Sequence, residues 1–493
     1  MTIPFKTIPS DIRVPLFYAE VDNSRANTAS PAQRALLIGQ MLSPGTAVAG
    51  VPVLCTGVAN AAGQFGINSV LTSMVAAYRA NDTFGEVWCL PLADDAGAAA
   101  ATGSIAITAA ATGSGTLSVY VGGTRYSVPV SPTKTTAQLA TSLAALINAD
   151  AAAPVTASVS TNTVTLTADN KGPTGNDIDI RVNYQGLLGG EVTPDGLTFT
   201  VTAMTGGTTA PSLTTGLAAL GTQTFDFIVS PYTDTTSLDA LKTLLNDTTG
   251  RWAYSQQLYG HVFAAKRGTV GTLQTAGAAR NNQHETILGY NDSPTPSWAW
   301  ACSMAGQCAA SLRADPGLPV QTLALNGVLA PPLASRFAMS DRQTLLTTGI
   351  STYTAGDDGT VRLDRVITSY QKNAFGAADN SYLDVETMFV LAYVLRFMMG
   401  AITSKFARVK LADDGTRFAA GSAIVTPAII KAELIAQYRE LESRGLVQGG
   451  TAFAQGVIVQ KNTGSPGRVD VLWPGTLIEQ LRIFALLAQF RLN

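Results

Sequence analysis

Apolar residues are arranged in two blocks, and each block alternates short apolar runs with helical stretches. In the first block, a run at 35–39 is followed by a helical segment near 67–79 and a second run at 86–90. The second block repeats this arrangement with runs at 225–229, 260–264 and 286–289 and predicted helices at 237–245 and 271–281. Short apolar runs alternating with helices predict buried strands in a layered α/β domain. We therefore assign 26–95 and 212–330 to one α/β domain that is discontinuous in sequence.

Between the two blocks the composition shifts to Ala, Thr, Gly, Ser and Val. Alternating apolar and polar positions, as at 116–121 and 163–167, predict strands. One interrupting stretch, 136–149, predicts a helix whose apolar face consists of Leu139, Leu143, Leu146 and Ile147. The simplest explanation is a β-rich domain at 96–211 that is inserted into a surface loop of the α/β domain.

A third region, 331–479, combines turns with a long apolar helix. The Asp-Asp-Gly triplets at 357–359 and 413–415 each lie between extended segments, as in hairpin turns that need positive φ. The stretch 385–406 is strongly hydrophobic, but Glu386 and Arg396 interrupt it and its apolar residues follow a helical period. We predict a buried helix with Asp384 as its N-cap, and no insertion into a membrane. Its apolar stripe comprises Val385, Met388, Phe389, Ala392, Leu395, Met398, Met399, Ile402 and Phe406.

The two ends of the chain differ from the regions that they flank. Residues 1–25 are rich in proline and contain one extended-looking segment at 16–22, which is typical of an arm. The last stretch, 480–493, is apolar on both faces over its middle, a pattern that favours a strand buried between layers or between subunits. A free, exposed edge of this kind aggregates.

Composition and charge narrow the classes of function. Charged residues make up only 13% of the 493 residues, which favours surfaces that meet other subunits. The 32 Lys plus Arg residues balance 34 Asp plus Glu residues without a dense basic run, so we expect no nucleic-acid partner. The start of the chain has no export or lipidation signal, which predicts a protein that remains in the cytoplasm where it is made. The four cysteines, Cys55, Cys89, Cys302 and Cys308, are scattered and are predicted to be reduced, buried thiols.

Candidate catalytic and metal-binding residues are few. No nucleotide-binding loop, zinc-protease helix or nucleophile elbow occurs in the sequence. The two histidines, His261 and His284, lie in or next to predicted strands, and Cys302 and Cys308 lack zinc-finger spacing. We therefore predict no enzyme activity, no cofactor, and no catalytic or metal site.

Several segments together resemble the contractile tail sheath family of bacteriophages, most closely its Mu-like branch. They are the opening IPSDIRVPLFYAE at 8–20, KGPTGNDID at 171–179, DVETMFVLAYVLR at 384–396 and the ending QLRIFALLAQF at 480–490. The last two resemble the long C-terminal helix and the final strand of the family. The resemblance covers nearly the whole chain.

The resemblance implies a structural subunit of the virion tail that is assembled in the host cytoplasm. It implies homo-oligomeric rings of six, stacked helically on a tail tube protein, with baseplate and tail terminator proteins at the two ends. Contraction then drives the tube through the host envelope. The implied fold class is an α/β (α+β) multidomain protein, with a layered α/β core, an inserted β-rich domain on the outside of the sheath, and a C-terminal α/β domain with exchanged terminal strands.

In such sheaths the terminal arms reach into neighbouring subunits and complete their β-sheets. Here this role falls on 16–22 and 480–492. The residues expected to carry the inter-subunit strand exchange are Leu16, Phe17, Tyr18, Leu481, Ile483, Phe484, Leu486 and Phe490.

Two other classes of protein compete with this interpretation. A self-assembling surface-layer or adhesin-type structural protein explains the Thr/Ala/Gly-rich strands as a display domain, but the missing export signal argues against it. An enzyme with an unfamiliar site requires polar residues that converge in a cleft, which only coordinates can reveal.

Overall fold

The computed structural model describes residues 33–491, and its first strands belong to a six-stranded sheet. All six residues of β1 are buried, because β1 lies in the interior of this sheet with a layer of helices on each face. Ser69 caps α2, since its side chain accepts a hydrogen bond from the Thr72 N–H. The elements of this first block are β1 (Ala35–Gln40), β2 (Val53–Cys55), α1 (Val58–Phe65), α2 (Val70–Arg79) and β3 (Val87–Leu92).

The next segment of the chain forms two antiparallel sheets of its own. They comprise β4 (Thr102–Ala109), β5 (Gly115–Val121), β6 (Thr124–Val130), α3 (Thr136–Ala149), β7 (Val155–Ser160), β8 (Thr163–Ala168), β9 (Ile180–Val182) and β10 (Thr198–Thr205). The sheet orders are β10-β4-β8-β7 and β6-β5-β9. Helix α3 begins at a capping box formed by Thr135 and Gln138 and occupies the predicted range. Its predicted apolar face is wrong at Leu146, which is 39% exposed because only the positions that face the strands are covered.

The chain then returns to the six-stranded sheet. This part contains α4 (Thr214–Ala218), β11 (Phe227–Val229), α5 (Thr235–Leu245), β12 (His261–Arg267), α6 (Val270–Ala278), β13 (Glu285–Tyr290) and α7 (Ser297–Ala314). The sheet order is β13-β12-β11-β1-β3-β2, with all neighbours parallel except β2 and β3. The sheet thus takes strands from both sides of the 102–205 segment. The exact domain boundaries, including 96–211, stay a prediction.

The two faces of the sheet pack against different helices. Along β1, Leu37 contributes to the cluster that contains α2 and α7, whereas Leu36 and Ile38 contribute to the cluster that contains α4 and α5. This alternation follows from the two-residue period of a strand. Helix α7 is buried along most of its length, and its Trp300 stacks on Tyr290 with ring centroids 4.6 Å apart. The result is a helix–sheet–helix sandwich.

The C-terminal region adds small sheets and further helices. It contains α8 (Met339–Thr347), β14 (Thr352–Ala355), β15 (Val361–Arg365), α9 (Val385–Phe406), β16 (Lys410–Leu411), β17 (Ile424–Val425), α10 (Pro427–Ser443), β18 (Val447–Gln448), α11 (Gly450–Gly456), β19 (Ile458–Lys461), β20 (Val469–Leu472) and β21 (Thr476–Leu477). The triplet at 357–359 is a hairpin turn between β14 and β15, with Gly359 at φ 78°. The hairpin predicted at 413–415 is wrong, because β16 and β17 pair in parallel across a longer connection.

Helix α9 connects the central sandwich to the C-terminal region. Near its start, Phe389 stacks on Phe227 of the central sheet with ring centroids 4.8 Å apart, and further along Val390 and Val394 pack into a separate cluster with α10. Two positions of the predicted apolar stripe, Leu395 and Met399, are exposed, because the helix passes from one core to the next and is not enclosed on this side.

Helix α9 is strongly hydrophobic but has charged residues at its start and along its length. Among the described residues, α9 is the helix that is long and apolar enough, by length and composition alone, to cross a membrane, with a mean hydropathy of 1.6 over 18 of its residues. However, Glu386 is fully buried and Arg396 forms an ion pair with Asp226 at the central sheet. Asp384 is at the N-cap position, but its carboxylate accepts from Arg365 and makes no capping bond to the helix.

Candidate inter-subunit surface

The final segment of the chain is attached to its own subunit up to about residue 482. Strand β21 pairs antiparallel with β18, and the Ile478 N–H then donates to the Leu446 carbonyl at 3.1 Å. Tyr438 supports this strand, because its hydroxyl accepts from the Thr476 N–H at 3.0 Å. These backbone hydrogen bonds fix the direction in which the chain leaves the C-terminal region.

Arg482 provides the last strong attachment. Its Nη2 lies 2.6 Å from Glu386 Oε2 and 3.4 Å from Asp384 Oδ1, at the beginning of α9. The guanidinium is largely buried, whereas its neighbours Leu481 and Ile483 are exposed. In the sequence, Arg482 is noticeable as a charged residue within an apolar run. Nothing in the sequence, however, identified Glu386, about a hundred residues earlier, as its partner.

From Leu481 onward, the residues around and beyond Arg482 present apolar side chains to solvent. The predicted exchange residues Leu481, Ile483, Phe484, Leu486 and Phe490, together with Leu487, are 72–83% exposed. Residues 478–491 form no β-ladder within the described chain. Of the two alternatives for this segment, burial between layers of the same subunit does not occur among the described residues, whereas burial between subunits stays a prediction. We call 483–491 the C-terminal arm.

The hairpin formed by β19 and β20 has apolar side chains without cover. Ile458 and Leu472 are register partners across this hairpin, and they are 51% and 60% exposed. The hairpin is a two-stranded sheet, so within the described chain the outer edge of each strand is unpaired. Such edges accept additional strands through backbone hydrogen bonds. The sequence pattern alone did not identify this hairpin as an acceptor.

The other predicted exchange residues, Leu16, Phe17 and Tyr18, lie outside the described residues. The structure therefore does not test them or the N-terminal arm at 1–25.

The two histidines are packed into the core. His261 is buried beside Phe389, and burial lowers the pKa of its imidazole well below the ordinary value. Its Nε2 is 2.8 Å from Thr286 Oγ1. His284 Nε2 lies 2.9 Å from Asp247 Oδ1, and its ring stacks on Trp252 with centroids 4.7 Å apart. Both side chains have packing partners that account for their positions.

All four cysteines are buried free thiols, as predicted. A hydrogen bond with the Cys89 thiol lowers the pKa of Cys55 to about 7, whereas burial raises the pKa of Cys302 and Cys308. Within 33–491, no group of three or more His, Cys, Asp or Glu side chains is placed to hold a metal ion.

The geometry of the C-terminal arm and of the β19–β20 hairpin supports association of subunits through strand edges and apolar side chains.

Comparison with known proteins identifies the family of the chain. The family model described as phage tail sheath protein central domain matches residues 206–369, and the model for the phage tail sheath C-terminal domain matches 377–491. Together these matches cover more than half of the sequence, including the arm and the β19–β20 hairpin.

One relative matches along the full length of both proteins. The Mu-like prophage FluMu tail sheath protein of Haemophilus influenzae is 41% identical over 492 residues, covering 99% of this chain and 100% of the relative. Solved structures with similarity include the sheath tail protein of Desulfitobacterium hafniense, at 13% identity and a TM-score of 0.48 over 95% of this chain and 97% of that one. The helical sheath of the anti-feeding prophage in its contracted state gives 12% identity and a TM-score of 0.49 over 98% of this chain and 100% of that one.

The resemblance noted in the sequence is thus confirmed by two family models and by a full-length relative. The α/β multidomain fold class predicted from the sequence is also confirmed. The chain belongs to the phage tail sheath protein family, in the Mu-like branch of contractile tail sheaths.

Proposed function

We propose that this sheath protein polymerises as stacked hexameric rings around a tail tube protein and contracts to drive the tube through the host envelope. Baseplate and tail terminator proteins close the two ends of the stack. The subunit is made and assembled in the host cytoplasm and becomes part of the virion tail. Family membership supports this proposal, and the C-terminal arm is the single observation on which its assembly mechanism rests.

The arm carries the proposal because its exposed apolar side chains are unfavourable in an isolated subunit. Burying one Leu, Ile or Phe side chain yields roughly 1.5–3 kcal/mol relative to leaving it exposed. Ile483, Phe484, Leu486, Leu487 and Phe490 all gain this free energy when a second copy of the chain covers them. Ordering the arm costs conformational entropy, so the net gain is smaller than the sum.

The β19–β20 hairpin is the acceptor that we propose for a neighbouring arm. Its two strand edges offer unpaired backbone groups, and Ile458 and Leu472 offer apolar contact on one face. Addition of a strand to such an edge combines backbone hydrogen bonds with side-chain burial. The N-terminal arm at 16–22 is the second donor strand in this proposal.

Strand exchange also provides a way to keep subunits joined during contraction. Hydrogen bonds along a paired strand persist while the bodies that they connect rotate, and the chain beside the strand absorbs the change in direction. An extended sheath that is trapped kinetically releases free energy when its subunits repack into a more stable lattice, so contraction needs no nucleotide.

We place the segment 96–211 on the outer surface of the sheath. Its two sheets are formed within the segment itself, so it can face outward without interrupting the central sheet.

Truncation after Arg482 tests the proposed assembly. Deleting 483–493 should leave a subunit with the circular dichroism spectrum and melting temperature of the full-length monomer, because the described part of this segment makes no ladder with its own subunit. The truncated protein should sediment as a monomer and form no tubes by negative-stain electron microscopy at concentrations where the full chain does.

The matched control is Phe84→Ser, which removes one strongly exposed apolar side chain far from the arm in sequence. It should assemble close to normally. Tubes of normal appearance from the truncated protein would refute arm exchange, and equal loss of assembly in the control would show that general surface hydrophobicity is responsible.

A further inference from the structure

The attachment of the C-terminal arm depends on one buried ion pair. Arg482 is 10% exposed and Glu386 is 0% exposed, and the Nη2–Oε2 distance between them is 2.6 Å. The Nε and Nη1 of Arg482 are buried without a hydrogen-bond partner in the described chain. The guanidinium is therefore held through Nη2 alone, which makes this contact sensitive to substitution.

The carboxylate that receives Arg482 is itself fixed. Glu386 lies in the first turn of α9, and its Oε1 accepts a hydrogen bond from the Val320 N–H at 2.8 Å. The adjacent Asp384 is held by Arg365 through two hydrogen bonds of 2.9 and 3.0 Å. Arg482 is thus bound to a rigid acidic pocket and not to a mobile surface residue.

The contacts on either side of Arg482 are much weaker. Before it, the Gln480 amide and the Leu481 carbonyl reach Gly317 and Gln321 at 3.5 Å, the limit of a hydrogen bond. After it, the apolar side chains of the arm are exposed. The chain therefore changes from attached to free at a single residue.

Helix α9 extends this attachment to the central sheet. Arg396, further along the same helix, pairs with Asp226, and Phe389 stacks on Phe227 of β11. A pull on the arm is therefore passed from Arg482 to Glu386, along α9, and into the central sandwich.

We propose that Arg482 is the positioning residue of the C-terminal arm, and that its ion pair with Glu386 fixes the point and direction in which the arm leaves the subunit. This inference rests on the proposed arm exchange. With Arg482 bound, residues 483–491 reach about 30 Å when extended. With Arg482 released, the free segment begins near residue 479 and its end explores a much larger volume, which lowers the effective concentration of the arm at its acceptor.

The test compares variants that separate anchoring from folding. The double variant R482M/E386Q removes the ion pair without leaving a buried unpaired charge, and the amide that replaces the Glu386 carboxylate can still accept from the Val320 N–H. R482K keeps a cation near Glu386, and R408M is the matched control because Arg408 is an exposed arginine that follows α9 and lies outside both the arm and the β19–β20 hairpin. The 483–493 deletion is measured alongside them.

Two measurements are made on each variant. Hydrogen exchange on monomers reports the mobility of the segment 476–482, and pelleting with electron microscopy gives the critical concentration and the lattice. For R482M/E386Q we expect an unchanged main melting transition, about tenfold faster exchange in 476–482, and a critical concentration raised about tenfold, since a fixed arm loses less entropy on binding. R482K should lie between wild type and the double variant, and R408M should match wild type.

The role of Arg482 would be overturned if R482M/E386Q showed wild-type hydrogen exchange and a wild-type critical concentration. If the 483–493 deletion still failed to assemble in that case, the proposed strand exchange by the arm would stand. Normal assembly of the deletion would overturn both proposals. If R482M/E386Q has a lower melting temperature than wild type, the R482K monomer decides the outcome. Faster hydrogen exchange in its segment 476–482 supports the role of the Arg482–Glu386 ion pair, and unchanged exchange in that segment contradicts it.

Discussion

Individual residues in this subunit are held by ion pairs between positions far apart in sequence. Arg313 of α7 illustrates this, since its Nη1 is 2.7 Å from Asp82 Oδ2 and its Nη2 is 3.2 Å from the Tyr78 hydroxyl. The same guanidinium lies over the ring of Phe227 at 5.1 Å. The sequence pattern predicted a helix near 67–79, but it could not pair residues separated by 231 positions. Such contacts are properties of the folded geometry and not of local sequence.

The Asp82 carboxylate gives a prediction about pH. Burial raises its pKa, but Arg313, the Tyr78 hydroxyl and the Gly85 N–H outweigh burial and hold the pKa below the ordinary value of 3.8. The folded-state pKa is thus depressed, so the ionised group contributes stability above pH 3.8 that is lost as the pH falls through the folded-state pKa. Asp82→Asn should lower the free energy of unfolding at pH 7 by about 1.5–3 kcal/mol.

Urea unfolding of the arm-truncated protein between pH 7 and pH 3 checks this prediction. The difference between Asp82→Asn and its parent should shrink below pH 3.8. Asp357→Asn, at an exposed carboxylate in the turn between β14 and β15, serves as control and should change stability little at any pH. A difference in the free energy of unfolding between Asp82→Asn and its parent that stays constant over the whole pH range would contradict the stabilising role of the ionised Asp82 carboxylate.

Secondary-structure elements could be predicted from the sequence where their pairing partner is close in sequence or where both faces of a strand are buried. The strands of the central sheet are continuous apolar runs because parallel strands are covered on both faces, and this pattern located β1, β3, β11, β12 and β13. The second Asp-Asp-Gly triplet failed as a hairpin signal, since a turn with positive φ does not by itself determine which strands pair. The apolar pattern of the arm did not distinguish a strand between layers from a strand between subunits, because both bury two faces; its pairing with another copy of the chain stays a prediction.

The β19–β20 hairpin yields a prediction at the same scale. Replacing Ile458 and Leu472 together by Thr gives both positions a β-branched side chain, which suits a strand, and removes exposed apolar surface. The monomer should fold normally, because both residues are more than half exposed. The critical concentration for tubes should rise about tenfold, which corresponds to about 1.4 kcal/mol of lost contact energy.

Val159→Thr on β7 is the matched control, because Val159 is also an exposed strand residue but lies in the 96–211 segment. It should polymerise like wild type. The acceptor role of the hairpin fails if I458T/L472T assembles at the wild-type concentration while the 483–493 deletion does not.

At the scale of the whole molecule, the 102–205 segment forms its own β-sheets but shares a hydrophobic core with the central sandwich. One hydrophobic cluster contains Ile105 and Leu166 of that segment together with Leu37 and Trp298 of the sandwich. Polar contacts also cross this boundary, because the Val70 N–H donates to Asn170 Oδ1 at 2.9 Å. Composition revealed the segment, but the extent of shared core could not be derived from it.

Excision of the segment tests how far the sandwich depends on it. Ala99 and Thr208 form an antiparallel bridge, so their Cα atoms lie about 5 Å apart and a short glycine linker can replace residues 100–207. We expect a folded protein that still polymerises, because the central sheet takes no strand from the excised segment. Its melting temperature should fall, since excision removes Asn170 and leaves the buried Val70 N–H without its acceptor.

Asn170→Ala in the full-length chain separates the two effects. It removes the same hydrogen bonds without exposing the shared apolar core, so it should lower the melting temperature less than excision does. Circular dichroism and electron microscopy of both proteins decide the outcome. An excised protein that is unfolded or insoluble would show that the segment is a required half of one core and not an insertion. Equal melting temperatures for the two variants would instead show that polar contacts alone join the segment to the sandwich.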